Sequence, residues 1–268
     1  MIRYLSALAL VPAALSAQAD PDTWLDRCRR DYWDNDRVKH CEVRESGMRA
    51  GRQPLVVDPG RNGGVAIRGW DQDSIAVFAK IQSWGDSEDE ARALAREVRI
   101  VADGGIRAEG PTGARSNRGW AVSFEVYVPH RTDLTLETEN GPLTVREVTG
   151  RMTLQAHNGP VTLEGVGGSV RARVQNGPLH VELTGARWEG EGLDAETVNG
   201  PAVVAIPENY SAELETGTVN GPMRTEFPLT VTLHGDVARR VTAKLGAGGA
   251  PVRVVTTNGP MTLRRTRN

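Results

Sequence analysis

The tripeptide Asn-Gly-Pro occurs six times in this chain, beginning at Asn140, Asn158, Asn176, Asn199, Asn220 and Asn258. The first two steps are 18 residues each, the next two 23 and 21, and the last 38. A motif that returns at a near-constant step marks stacked copies of one supersecondary unit. The long last step reads as two units with the middle copy lost, near Leu233-His234-Gly235-Asp236. Between the turns the apolar residues alternate: Leu143 and Val145, then Val148, then Met152, Leu154 and Ala156, and again Val161, Leu163, Val166, Val170, Ala172 and Val174. Period-two alternation is the mark of half-buried strands. A second break falls at Gly150 and at Gly167-Gly168, so each unit reads as two short strands and two corners.

Asn-Gly ordinarily announces a two-residue hairpin turn, and a meander of hairpins is one reading of the repeat. Here Pro follows each Gly, at the position whose N–H would bond back across a hairpin, and Pro has none. Pro also drives the preceding residue towards extended geometry. An open corner fits better, with Pro starting the next strand and Asn stacking on Asn between coils as a hydrogen-bonded ladder. The fold expected is mainly β: a repetitive, β-helix-like β-solenoid preceded by a β-rich cap region with one short helix. The six Asn residues are then a turn ladder; a row of ligand-binding amides is the functional alternative. Aromatics at 5% and 30 Gly suit such a thin interior.

Upstream, strand patterns run over Leu55–Val57, Gly64–Ile67, Ser74–Ile81, Val98–Val101 and Ala121–Val128. Ser87 with Glu90 three residues on forms a capping box ahead of Ala91, Ala93, Leu94 and Ala95, and predicts the helix. A repeat stack needs a cap because an open end exposes unpaired strand edges. The division expected is a signal peptide over 1–19, a disulfide-containing segment over 20–50, the cap region over 52–130 and the repeats over 131–268. Arg264, Arg265 and Arg267 would blunt the far edge with charge.

Arg3, the apolar stretch from Tyr4 to Leu15 and the small-x-small pattern Ala17-Gln18-Ala19 form the signal peptide, with cleavage before Asp20. The apolar stretch falls short of the roughly 20 residues that span a bilayer, and no other segment approaches that length. An uncleaved N-terminal anchor is the alternative. The protein is therefore expected to be exported, to the periplasm, the cell surface or the medium, with no transmembrane span in the mature chain. Cleavage leaves 31 Lys and Arg against 34 Asp and Glu, a balance of −3 that argues against a nucleic-acid partner. Cys28 and Cys41, 13 residues apart, read as a disulfide in an exported chain. Closing so short a loop stabilises by roughly 3 kcal/mol. A metal site or redox pair would want closer Cys-x-x-Cys spacing, and His40 is a lone further ligand.

Chemistry-bearing motifs are sparse. The five histidines form no His-x-x-x-His or His-Glu-x-x-His pattern, and there is no nucleophile elbow or phosphate loop. Neither a metal nor a cofactor is called for. Glu137, Glu139, Glu147 and Glu164 gather near the first units, and two carboxylates about 5–10 Å apart are what glycoside hydrolysis needs. A polysaccharide lyase or hydrolase on a β-helix is accordingly the alternative function. Five of the six Trp lie before the repeats. Trp70, Trp84 and Trp120 are candidates for stacking on sugar rings, against the plainer reading as core or cap residues.

Several of these residues resemble a bacterial family known as "putative adhesin" or toast-rack proteins. The resemblance rests on Gly64-Val65-Ala66-Ile67 followed by Gly69-Trp70-Asp71, on the strand Phe124-Glu125-Val126-Tyr127-Val128-Pro129, and on the Asn-Gly turns with alternating Val and Leu. It spans about residues 52–268. Many members carry Asn-Gly-Asp or Asn-Gly-Ser where this chain has Asn-Gly-Pro. The resemblance implies a solenoid-like envelope or secreted protein and brings no catalytic residues. The function expected is a non-catalytic adhesin-like or scaffold protein, its partner an envelope protein or polysaccharide. End-to-end self-assembly is a third reading.

Overall fold

The computed structural model describes residues 21–30, 38–112, 117–227 and 239–266. The signal-peptide reading, Trp33 and the segment around His234 lie outside them. Helix α1 (Pro21–Arg30) precedes β1 (Val38–Arg49), β2 (Leu55–Asp58), β3 (Val65–Trp70) and β4 (Ser74–Gly85). Helix α2 (Glu88–Glu97) leads to β5 (Arg99–Ala102), β6 (Ile106–Glu109) and β7 (Gly119–Pro129). The repeats supply β8 (Leu134–Asn140), β9 (Leu143–Arg146), β10 (Thr149–Asn158), β11 (Val161–Glu164), β12 (Gly167–Asn176) and β13 (Leu179–Glu182). They continue as β14 (Gly192–Asn199), β15 (Ala202–Ile206), β16 (Ala212–Asn220), β17 (Met223–Thr225), β18 (Arg239–Leu245), β19 (Pro251–Asn258) and β20 (Met261–Arg265).

These strands form two open, mixed sheets of ten strands each, with long parallel stretches. One runs β1-β4-β7-β3-β9-β11-β13-β15-β20-β17, the other β18-β16-β19-β14-β12-β10-β8-β2-β6-β5. Each Asn-Gly-Pro carries the chain from one sheet to the other. The strands it joins are not hydrogen-bonded neighbours, so the hairpin meander is excluded for all six turns. Within a sheet, equivalent residues align: Leu143, Val161, Leu179 and Ala202 in one, Leu154, Ala172 and Ala195 in the other. The inward rows of both sheets, buried almost completely, form one continuous core. The mid-unit corner falls at Glu147 and Gly165, both with left-handed backbone. Gly150 and Gly167-Gly168 instead lie at the start of the long strands, two or three residues past that corner.

Three features depart from the sequence reading. A second helix, α1, lies in the polar N-terminal segment. Its buried Cys28 is joined to Cys41 of β1 with the Cα atoms 6.4 Å apart. One turn and a half of apolar spacing (Trp24, Leu25, Cys28) is too little to stand out against six charged and polar neighbours in the helix, and the covalent tie holds the helix on β1. Strands β1 and β6 were also absent from the pattern. β1 is rich in charge because its inner-row Arg44 serves α2: Nη1 donates to Val98 O at 2.5 Å and Nη2 to Ala95 O at 2.8 Å, filling the orphan carbonyls of the helix end. At the other end of α2, Ser87 Oγ accepts from the Glu90 N–H at 3.2 Å.

The third departure is the order of the last units. Strands β19 and β20, last in sequence, are not last in space. They insert between the unit of β14 and β15 and the unit of β16 and β17. Strand β18 then lies antiparallel on β16 and covers that edge of its sheet. Upstream, β2 and β3 extend the repeat register, with Leu55 beside Leu134 and Val65 beside Leu143.

Candidate binding surface

The corner row is built from Asn side chains. The amide of Asn158 donates to Asn140 Oδ1 at 3.1 Å, Asn176 to Asn158 at 3.0 Å and Asn199 to Asn176 at 2.9 Å. Asn258 donates to Asn199 and Asn220 to Asn258, each at 2.9 Å, following the spatial order of the units. Sequence reasoning missed one member: Asn140 donates to Asn62 Oδ1 at 3.4 Å, and Asn62-Gly63 occupies the same corner without the Pro that flagged the others. The backbone reinforces the row. Gly159 N–H donates to Asn176 O at 3.0 Å, and the same bond recurs from Gly141, Gly177, Gly200 and Gly259. Beneath the corner, buried Thr197, Thr256 and Thr218 donate their hydroxyls to Gly177, Gly200 and Gly259 carbonyls at 2.7–2.8 Å. With so many of the amides committed to one another, the row is a self-satisfied surface ridge.

The outward face of the second sheet is charged and paired. Asp194 on β14 meets Arg173 Nη2 at 2.5 Å and Arg253 Nη1 at 2.8 Å. Arg253 also reaches Glu196 at 3.3 Å and Glu215 at 3.5 Å. Burial pushes the Asp194 carboxyl up, but the two guanidiniums outweigh it and hold the group below the usual carboxylate range. Four cross-strand partners on adjacent strands make this a network and not a scatter of isolated surface pairs, which contribute little.

On the other sheet, Arg264 Nη2 lies 3.0 Å from His180 Nε2. Burial lowers the His180 pKa, Arg264 lowers it further, and Glu182 and Glu164 oppose both; the net shift is downward. His180 is thus neutral in the folded state over a pH range where the unfolded chain binds a proton. Its contribution to stability is complete above about pH 6.5 and is lost as pH falls towards the lowered folded value. Melting temperatures of the wild type and His180→Gln are expected to differ most at pH 8 and to converge by pH 5. A gap that is constant with pH would show that His180 does not titrate in this way.

The three candidate sugar-stacking tryptophans do not converge. Trp70 is buried against Tyr127, ring centroids 5.7 Å apart, and donates its N–H to Ser74 O. Trp84, on β4, lies on the same face of the sheet but about 30 Å away along the strand direction, over Gly119. Trp120 is on the opposite face, its N–H donated to Pro111 O at 3.1 Å. The four carboxylates are likewise split. Glu137 pairs with His157, Glu139 with Arg61, Glu147 with Arg68 and Glu164 with Arg146, at 2.7–3.8 Å. Two of these glutamates lie on β8 of one sheet, one on β11 of the other and one at a corner. Among the described residues no cluster of three or more His, Cys, Asp or Glu is placed to hold a metal ion. No helix among them is long and apolar enough to cross a membrane.

No family model and no curated protein matches this sequence. Among solved structures the chain is similar to a "putative cell adhesion protein" from Clostridium sporogenes, at 12% identity and a TM-score of 0.40, covering 84% of this chain and 100% of that one. It is similar to a "putative adhesin" from Parabacteroides distasonis, at 7% identity and a TM-score of 0.36, with 82% and 97% covered. A "putative adhesin" from Bacteroides fragilis follows at 12% identity and a TM-score of 0.28, with 84% and 97% covered. The last two carry the name of the family the sequence resembles.

Proposed function

We propose that this chain is an exported, non-catalytic adhesin-like or scaffold protein of a bacterial envelope, binding through the outward faces of a β-solenoid. On this reading each 18-residue unit is one coil, the Asn residues are its structural corner ladder, and the antiparallel strands β1, β4 and β7 cap one end. The observation that carries the reading is the register. Parallel strands from successive units align residue for residue in both sheets, which lays long, regularly spaced rows of outward side chains along each face. A surface of that kind engages an extended partner over many weak contacts, as solenoid faces do. The disulfide between Cys28 and Cys41 supports an oxidising, non-cytosolic location. The pairing of each of the four candidate carboxylates with a basic side chain supports binding over catalysis.

The test is co-sedimentation of the purified protein with isolated envelope fractions, untreated or digested with protease. Binding is expected. Loss on protease treatment identifies a protein partner, and survival identifies glycan or lipid. No sedimentation with any envelope fraction would overturn the proposal.

A further inference from the structure

A cleft of about 690 Å³ opens on the side of the molecule away from the Asn row, where the loop after β1 faces the start of β8, β10 and β12. Its concavity has a sequence cause. Gly150, Gly168 and Gly190 stack on one another on successive units, at or just before the start of β10, β12 and β14. A Cβ on each would fall 2.1–2.4 Å from backbone atoms of the unit before, so this row carries no side chains. Met48, Leu55 and Ile75 contribute apolar surface to the cleft.

The charged groups lining it are Arg49, Arg52 and Arg131, with Asp133 and Glu189. The two acids are engaged: Asp133 Oδ1 accepts from the Arg151 backbone N–H at 2.7 Å, and Glu189 pairs with Arg187 at 3.1 Å. The three arginines are exposed, and among the described residues none has an ion-pair partner. This contrasts with the neighbouring sheet face, where Arg171, Arg173, Arg240 and Arg253 are all paired. Three exposed arginines without an ion-pair partner outnumber the two acids around one concavity and make a site for anionic groups, which Arg binds through paired N–H donors.

The backbone discriminates between kinds of anion carrier. Gly168 N–H is given to Glu189 O at 2.6 Å, Thr149 N–H to His130 O at 2.7 Å and Thr132 N–H to Thr149 O at 3.1 Å. These amides are already spent between units, so an acidic peptide cannot add as a strand along this row. A ligand on this row is held by side chains, through the arginines and the apolar surface beside them. We infer that this cleft is a docking site for the acid groups of an anionic polysaccharide. The inference rests on the binding reading above for an extended partner, whereas the site itself is testable without any envelope material.

The experiment is titration of the full-length protein with polygalacturonate, polyglutamate and neutral dextran, at low and at 0.5 M salt. Polygalacturonate is expected to bind at low salt and weaken as salt rises, with dextran inert. The triple variant Arg49→Gln, Arg52→Gln, Arg131→Gln is expected to lose about tenfold or more in affinity, with an unchanged thermal melt because all three side chains are exposed. Each single variant, expected to lose a few-fold, serves if the triple variant is unstable. Arg224→Gln, exposed at the far end on β17, should bind as the wild type does. Undiminished binding by the triple variant, or no binding of polygalacturonate by the wild type, overturns the site. Polyglutamate binding as tightly per charge overturns the polysaccharide assignment. Envelope sedimentation that persists in the triple variant would leave the proposed function standing and remove only this cleft from it.

Discussion

Replacing Gly177 by alanine is expected to lower stability by more than about 3 kcal/mol or to prevent the repeats from stacking. The added methyl would lie 2.2 Å from Gly159 O and 2.6 Å from Gly159 C. Both atoms are backbone, fixed by the ladder on either side, so no rotamer change relieves the contact. The same collision awaits a side chain at Gly141, Gly159, Gly200, Gly221 or Gly259, each 2.1–2.2 Å from the carbonyl oxygen of the preceding corner glycine. Gly104, where a Cβ meets nothing within 4 Å, is the matched control despite its left-handed backbone. Urea melts of Gly177→Ala and Gly104→Ala measure the difference. Equal losses would mean that backbone conformation, and not the close approach of successive corners, is why glycine follows each Asn.

The second large effect is expected at Arg253. Its register partners are Asp194 on one side and Glu215 on the other. Units stacked in chain order would bring β16 directly against β14 and set those two carboxylates side by side. Inserting β19 between them interposes a guanidinium that reaches both. Arg253→Glu is expected to lose about 3 kcal/mol, the fully buried figure discounted for solvent reaching a side chain that is 29% exposed. Arg253→Met, which keeps the length and removes the charge, should lose less. The sign of the pH effect separates charge from packing. Asp194 contributes stability above about pH 4, which is lost as pH falls through its lowered folded value. In Arg253→Glu the three acids repel one another, so its deficit against the wild type should shrink as they protonate. Denaturant midpoints at pH 3.5 and pH 7 for the three proteins test this. Equal, pH-independent losses in both variants would assign Arg253 a packing role only.

These two positions mark how far the sequence could be read. Gly177 belongs to a tripeptide that announces its own geometry. The Asn is followed by the one residue small enough for the corner and by one that cannot close a hairpin, and every copy is where the structure turns. Arg253 carries no such mark. Nothing local to Pro251–Asn258 says that this strand seats between β14 and β16, because the acids that receive it lie about 40 and 60 residues earlier. Asn62 joins the corner row without Pro, so the motif that revealed the other six passed over it.

The same division separates the candidate sites. Trp70, Trp84 and Trp120 share a chemistry that suits sugar stacking, and their separation along and across the sheet is a matter of strand register. The arginine cleft was invisible for the opposite reason. Arg49, Arg52 and Arg131 are unremarkable one by one and meet only because the loop after β1 faces the start of the repeats.

What the sequence determined by itself is the repeating unit: period-two strands, a glycine corner, a disulfide and a thin aliphatic core. Each of these follows from forces acting over a few residues, steric limits at Gly and Pro and burial on alternate sides of a strand. What only the tertiary structure decided is which unit lies beside which, and therefore which charges are cancelled and which are left facing solvent. Strand pairing between distant segments is chosen by side-chain complementarity summed over the whole register, and no local pattern records that sum.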